Sequence, residues 1–320
     1  MDIFFYLFIA VLIIISLTLI TSYICFRMAF WASRKETNTE EYPIPDGEIY
    51  EPYRDIMVDW MKATRKMHCK DFNITSFDGL NLHARYYEYQ PDAPVEIMFH
   101  GYRGSAERDL CGGVQRCFTL GRNVLLIDQR TSCGSDGNVI SFGINESKDC
   151  LSWVDFAIQH FGPDVKLILT GISMGASTVI MAAGNPLPKN VVGVLADCGF
   201  SSAKDIIKKV IRQMHLPANL LYPFVKLGAM IYGHFDLEEN SPEEAIKNCK
   251  LPIILLHGEA DDFVPCEMSK RIFDACTSPK LLITVPGAGH GLVYLVDTGG
   301  YLKAVSEFFT ENGVPTEVVK

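Results

Sequence analysis

From Val95 onward the chain alternates between short, unbroken apolar runs and segments with helical patterning. "VEIMFHG", "NVLLIDQR", "KLILTGIS", "VVGVLADCG", "PIILLHGEADD" and "LLITVPGAGH" recur in that order. A strand wetted on one face alternates polar and apolar residues, whereas an unbroken run needs cover on both faces. Central parallel strands receive that cover from crossover helices. "SWVDFAIQHF", the segment after Gly175 and "YLKAVSEFF" have the pattern of such helices, and "FNITSFDG" and "LNLHARYYEY" add β-type runs upstream. The alternation predicts a doubly wound, mostly parallel α/β sheet.

Residues 202–250 break the rhythm, because no strand-like run occurs there. Ile206, Ile207, Val210, Ile211 and Met214 form one helical stripe, and "HLPANLLYPFVKLGAMIYGHF" is an unusually apolar second segment. An all-helical insertion between two strands has the form of a lid; the alternative is a set of ordinary packing helices on the sheet.

The N-terminus is of another kind. Residues 3–25, "IFFYLFIAVLIIISLTLITSYIC", carry no charge, and as a helix would reach roughly 34 Å against a hydrocarbon core of about 30 Å. A cleaved signal peptide would need a basic start, a shorter apolar core and a small-residue cleavage site, and none is visible. The expectation is a single membrane span whose partner is the lipid bilayer. Asp2 precedes it and Arg27, Arg34 and Lys35 follow, so the positive-inside bias puts the C-terminal part in the cytoplasm. The nine cysteines beyond Cys25 are odd in number and scattered, as reduced thiols are. No pair has zinc-ligand spacing, so no metal is expected. A net charge of -9 without a basic cluster argues against nucleic acid. The expected division is an anchor and basic flank at 1–35, a linker with an amphipathic helix at 36–70, and the α/β domain at 71–320 with its helical cap at 202–250. The acidic stretch "ETNTEEYPIPDGEIYEP" reads equally as a linker or as a strap on the domain surface. Tyr53, Ile56, Met57, Trp60, Thr64 and Met67 then fall at helical spacing.

"GISMGAS" puts Ser173 between Gly171 and Gly175, after a strand and before the helical "MGASTVIMAA". A serine on such a sharp turn is presented above the sheet, the glycines leave room where Cβ atoms would crowd, and the Met174 N–H opens a helix facing a developing oxyanion. The hydroxyl needs a base. His290, in the glycine-rich "PGAGHG", is the best placed of the eight histidines, on a loop read as exposed and flexible. His100 and His257 follow strands and read as positioning residues; His68, His83, His160, His215 and His234 read as ordinary surface or core residues. "HGEADDFVP" supplies the carboxylate that would orient the base: Asp261, with Asp262 as a near competitor and Asp197 as a distant third. No organic cofactor is needed for this chemistry.

Serine, aspartate and histidine occur in that chain order, each after its own strand, so residues 70–320 resemble the α/β-hydrolase superfamily. "FHGYRGS", "GISMGA", "HGEADDFVP" and "GAGHG" match its oxyanion, nucleophile, acid and base motifs. "DQR", "SFGINESKDCLSWV" and "HGEADDFVP" further resemble membrane-anchored bacterial serine hydrolases related to eukaryotic membrane-associated acyl hydrolases. The resemblance implies a Tyr102 N–H as second oxyanion donor. The anchor and the apolar insertion point to a small-molecule acyl substrate, an acyl or lipid-like ester or thioester reached at the membrane surface, with short-chain esters next and peptides or amides, which some relatives cleave, as a weaker alternative. A non-catalytic membrane-tethered binding module is the competing class. Thr131, Ser132 and Cys133 stand where many relatives have Gly-His-Gly, which leaves the shape of the substrate site open.

Overall fold

The computed structural model describes residues 3–32 and 41–317. Asp2, Arg34, Lys35 and the first part of the acidic linker lie outside the described residues. One eight-stranded sheet runs in the order β1-β2-β4-β3-β5-β6-β7-β8, formed by β1 (Lys70–Thr75), β2 (Asn81–Tyr87), β3 (Val95–Phe99), β4 (Asn123–Asp128), β5 (Leu167–Ile172), β6 (Val191–Asp197), β7 (Ile253–Gly258) and β8 (Lys280–Val285). Strand β2 is antiparallel to both β1 and β4; all other pairs are parallel. Every residue of β3, β4 and β7 is buried, as unbroken apolar runs require, whereas edge strand β1 is exposed or half-buried throughout.

The helices are α1 (Ile3–Ala29), α2 (Arg54–Lys66), α3 (Ala106–Asp109), α4 (Gly113–Thr119), α5 (Ile144–Phe161), α6 (Met174–Ala183), α7 (Ala203–Gln213), α8 (Ala218–Tyr232), α9 (Pro242–Ala245), α10 (Cys266–Ala275), α11 (Val293–Val296) and α12 (Thr298–Glu311). Side chains from α5, α6 and α10 pack on one face of the sheet, including Trp153, Val179 and Ile272. Val114 of α4 and Val305 and Phe309 of α12 cover the other. This is the doubly wound arrangement that the alternation predicts.

The insertion forms α7, α8 and α9, and its apolar residues have an unforeseen partner. Phe26 and Phe30, from the end of the N-terminal helix and just beyond it, lie in one core with Ile207, Tyr222, Val225 and Phe235. At the contact, a Cβ on Gly228 of α8 would sit 2.4 Å from the Ser22 carbonyl oxygen, so the two backbones can approach only because that residue is glycine. The apolar character of residues 218–235 therefore reflects, in large part, packing against α1.

The acidic segment adopts the strap alternative over its described part. Ile44 and Tyr50 are buried with Met57 and Met61 of α2 and with Leu292. Among the described residues the ten cysteines form no disulfide.

Candidate active site

Ser173 lies between β5 and α6 with φ 56° and ψ −119°, a strained backbone for a residue with a Cβ. Its neighbours make the turn possible. A Cβ on Gly171 would meet the Gly175 carbonyl oxygen at 2.1 Å, and one on Gly175 would meet the Phe99 carbonyl oxygen at the same distance. The Ser173 N–H donates to the Asp197 carbonyl at 2.8 Å, which ties the turn to β6.

Distant segments converge on this serine. His290 Nε2 lies 2.9 Å from Ser173 Oγ, and His290 Nδ1 lies 2.6 Å from Asp261 Oδ2. The other Asp261 oxygen accepts N–H bonds from Phe263 at 2.9 Å and Val264 at 2.8 Å. Burial by itself would raise the pKa of this carboxyl. The hydrogen bonds from His257, His290 and the Val264 amide outweigh it and hold the group below the ordinary carboxylate range. Asp262, the near competitor, is exposed, and its backbone oxygen accepts from Lys209 and Gln213. Asp197 is buried with Oδ1 unpartnered among the described residues, and burial pushes its pKa up to about 6 despite His257 and His290 nearby.

The two other strand-end histidines hold loops in place. His257 Nε2 donates to the Val264 carbonyl at 2.7 Å and its Nδ1 lies 2.6 Å from Ser269 Oγ, fixing the turn that carries Asp261. His100 Nδ1 donates to the Gly101 carbonyl at 2.9 Å while Nε2 accepts from the Gln129 N–H at 3.1 Å. Burial keeps the His100 pKa below its ordinary value, so the ring stays a neutral strut. The Gly101 N–H is used by Asp109 Oδ2 at 3.0 Å, which makes Tyr102 the next amide of the loop beside Ser173.

The His290 loop differs from the exposed, flexible one expected. Ala288 is fully buried, a Cβ on Gly289 would fall 2.9 Å from Ile49 Cδ1, and one on Gly291 2.8 Å from Ile172 Cδ1. Gly289 and Gly291 answer to close packing, Gly291 to positive φ as well, and Gly287 to positive φ alone. Thr131 and Cys133, where the resemblance leads one to expect glycine, also take left-handed φ of 76° and 44°. Their loop touches the segment after β3 through Ser132 Oγ, which donates to the Gly104 carbonyl at 2.9 Å.

A cavity of about 750 Å³ opens at Ser173 and His290. Ile49 and Tyr50 of the strap, Trp60 of α2 and Tyr294 of α11 are among its walls, whereas no described residue of 202–250 lines it. The cover expected from the helical insertion is thus supplied by the strap. Tyr50 Oη donates to the His290 carbonyl at 2.9 Å. Nothing in the sequence around "EIYEP" pointed to that contact, because it joins residues far apart in the chain. Sequence reasoning also missed the tie between the Tyr102–Arg103 loop, the candidate oxyanion loop, and the N-terminal helix. Tyr102 Oη donates to the Ala29 carbonyl at 2.8 Å, and Arg103 donates to the carbonyls of Met28 and Trp31 at 2.9 and 3.0 Å. The Met28 and Ala29 carbonyls end α1, where no further turn donates to them, and Trp31 lies just beyond it.

Cys198 Sγ approaches His290 Nε2 at 3.9 Å. Burial, with Asp197 and Asp261 adding negative charge, pushes this thiol well above its ordinary pKa, and Ser173 Oγ, at 2.9 Å, lies nearer to the same ring nitrogen. The Cys198, Asp261 and His290 ligand atoms lie within 4.8 Å of one another, close enough for a metal ion. Asp261 and Cys198 face different ring nitrogens of His290, Nδ1 and Nε2.

Sheet order, strand-to-helix serine turn and cavity at the strand ends define an α/β-hydrolase. The chain belongs to the prolyl oligopeptidase family, whose sequence profile matches residues 141–313. It is 27% identical to the Bacillus subtilis protein YqkD over 274 residues, covering 85% of this chain and 89% of that one. It is 28% identical to the rat mitochondrial palmitoyl-protein thioesterase ABHD10 over 206 residues, covering 59% and 65%. Among solved structures, the Pyrococcus furiosus esterase Pf2001 superposes with a TM-score of 0.63 at 22% identity, covering 84% of this chain and 96% of that one. The protein is a hydrolase of this fold. Helix α1 is long and apolar enough to cross a membrane, a property that N-terminal signal sequences share.

Proposed function

We propose that the protein is a membrane-anchored serine acyl hydrolase that cleaves carboxylic esters or thioesters. The observation that carries this reading is the unbroken chain of contacts Asp261–His290–Ser173, at 2.6 and 2.9 Å, opening on the cavity. Ser173 Oγ attacks the acyl carbonyl as His290 Nε2 takes its proton, and Asp261 stabilises the imidazolium. The N–H groups of Tyr102 and Met174 receive the oxyanion, the latter at the start of α6. The imidazolium then gives its proton to the departing alcohol or thiol. Water, deprotonated by His290, releases the acid from Ser173 through the same steps in reverse order.

Residues 1–35 serve as anchor, 36–70 as connection and 71–320 as hydrolase domain, facing the cytoplasm. An α1 whose end is packed into the domain fits a retained anchor better than a removable leader. The relative named as a palmitoyl-protein thioesterase supports testing long acyl thioesters first. A peptide or amide substrate is the second reading, favoured by the family's name.

A fluorophosphonate probe, applied to the full chain in detergent and mapped by peptide mass spectrometry, tests the nucleophile. An adduct on Ser173 that disappears in Ser173→Ala is expected, with a loss of hydrolysis of about four to six orders of magnitude in the variant. Activity of the variant within tenfold of the parent would end the assignment. Thioester, ester and anilide substrates of matched acyl group then separate the two readings.

A further inference from the structure

A helix on the surface of a soluble domain keeps one polar side towards water. Helix α8 has none. Its inner side, with Tyr222, Val225 and Ala229, is buried in the core shared with Phe26 and Phe30. Its outer side carries Leu220, Pro223, Phe224, Leu227, Met230 and Ile231 at three- and four-residue spacing, with Leu220 64%, Met230 50% and Ile231 38% exposed. The one charge on the helix, Lys226, is paired with Asp236 and Glu238.

The position of this surface identifies what covers it. The last turn of α8 lies against α1, with Tyr232 Oη donating to the Leu19 carbonyl at 3.1 Å and the Tyr232 ring 5.2 Å from that of Tyr23. Met230 and Ile231 are therefore continuous with the exposed apolar surface of Leu19, Ile20 and Ile24. The first charge along α1 is Arg27, stacked on Trp31 at 4.6 Å, the pairing expected at a membrane–water boundary. Leu19 stands eight residues before Arg27, about 12 Å along the helix axis and inside the apolar slab. Whatever surrounds α1 at that level also meets the end of α8.

We infer that α8 is a second membrane contact: its last turn enters the acyl-chain region beside α1, with Met230 and Ile231 facing lipid. The inference rests on α1 being a membrane span. Two helices packed together fix the pose of the domain, and the ties from Tyr102 and Arg103 to the end of α1 then hold the oxyanion loop close to the membrane surface. An acyl substrate could reach such a site from the lipid phase.

The test is photolabelling of the full chain in phosphatidylcholine vesicles whose acyl chains carry a diazirine, with adducts mapped by peptide mass spectrometry. Adducts are expected on residues 3–24 and on Met230 and Ile231, with none on the exposed Lys303 face of α12. The double substitution Met230→Glu and Ile231→Glu should abolish the α8 adducts and leave those on α1. Labelling of α1 without α8 would overturn the inference and leave the span intact. Labelling of neither would overturn the span as well, and equal labelling of α12 would refute a defined contact.

Discussion

Replacing Phe30 with alanine separates a tether from a structural element. If the N-terminal helix only ties the domain to a membrane, its final residues bear no load and the change is neutral. In the structure Phe30 is fully buried, with ring centroids 5.3 Å from Phe235, 5.8 Å from Phe142 and 6.2 Å from Phe26. Truncating a phenylalanine in such a core costs about 3–5 kcal/mol. Against a typical domain stability of about 5–15 kcal/mol, that is a large share. The backbone beside it holds the candidate oxyanion loop through the Ala29 carbonyl, so activity should fall before the whole domain unfolds. Urea unfolding of the full chain in detergent micelles, followed by fluorescence alongside ester hydrolysis, measures both. A stability loss below about 1 kcal/mol with unchanged hydrolysis, as for an ordinary surface site, would refute the claim that the helix end belongs to the domain.

Asp261→Asn should lower kcat by about four orders of magnitude, as loss of the orienting carboxylate does in a triad, while Asp197→Asn stays near the parent rate; the reverse ranking would reassign the acid. Tyr50→Phe removes the bond to the His290 carbonyl, a contribution of about 0.5–1.5 kcal/mol, so kcat/KM should fall by a factor of about 2 to 13, and no change would show that the strap leaves the base unaffected. The two buried carboxyls should shape the pH dependence of stability in opposite ways. Burial lifts Asp197 to about 6, so the folded chain binds its proton more tightly than the unfolded chain; stability falls as pH rises from about 4 to 6, and Asp197→Asn should remove that fall in unfolding titrations. Asp261 is held below its unfolded value, so its contribution is complete above about pH 4 and is lost as the solution is acidified further, a loss absent in Asp261→Asn.

The fold could be read from the chain because its signals are local. A short unbroken apolar run such as that of β7, bounded by turn residues, reads as a covered strand, and "GISMGA" needs its glycines wherever a strand turns sharply into a helix around a serine. The order of Ser173, Asp261 and His290 along the chain followed for the same reason, since each ends a strand of one sheet. Choosing Asp261 over Asp262 required more than spacing; the structure turns the first inward to two histidines and leaves the second in solvent.

Other relationships depended on residues that meet only after folding. Sequence periodicity shows that α8 is apolar on more than one side but not what each side touches, and the contact with α1 joins positions about two hundred residues apart in the chain. Tyr50 against the His290 loop and Tyr102 against Ala29 are single hydrogen bonds without a repeating pattern, so composition and spacing carry no trace of them. The sequence by itself determined the sheet, the apolar N-terminal helix and the residue types of the site, because local periodicity and turn sterics dictate those. Tertiary structure alone decided that the strap walls the cavity and that the N-terminal helix is built into the domain, because both follow from which buried surfaces fit together.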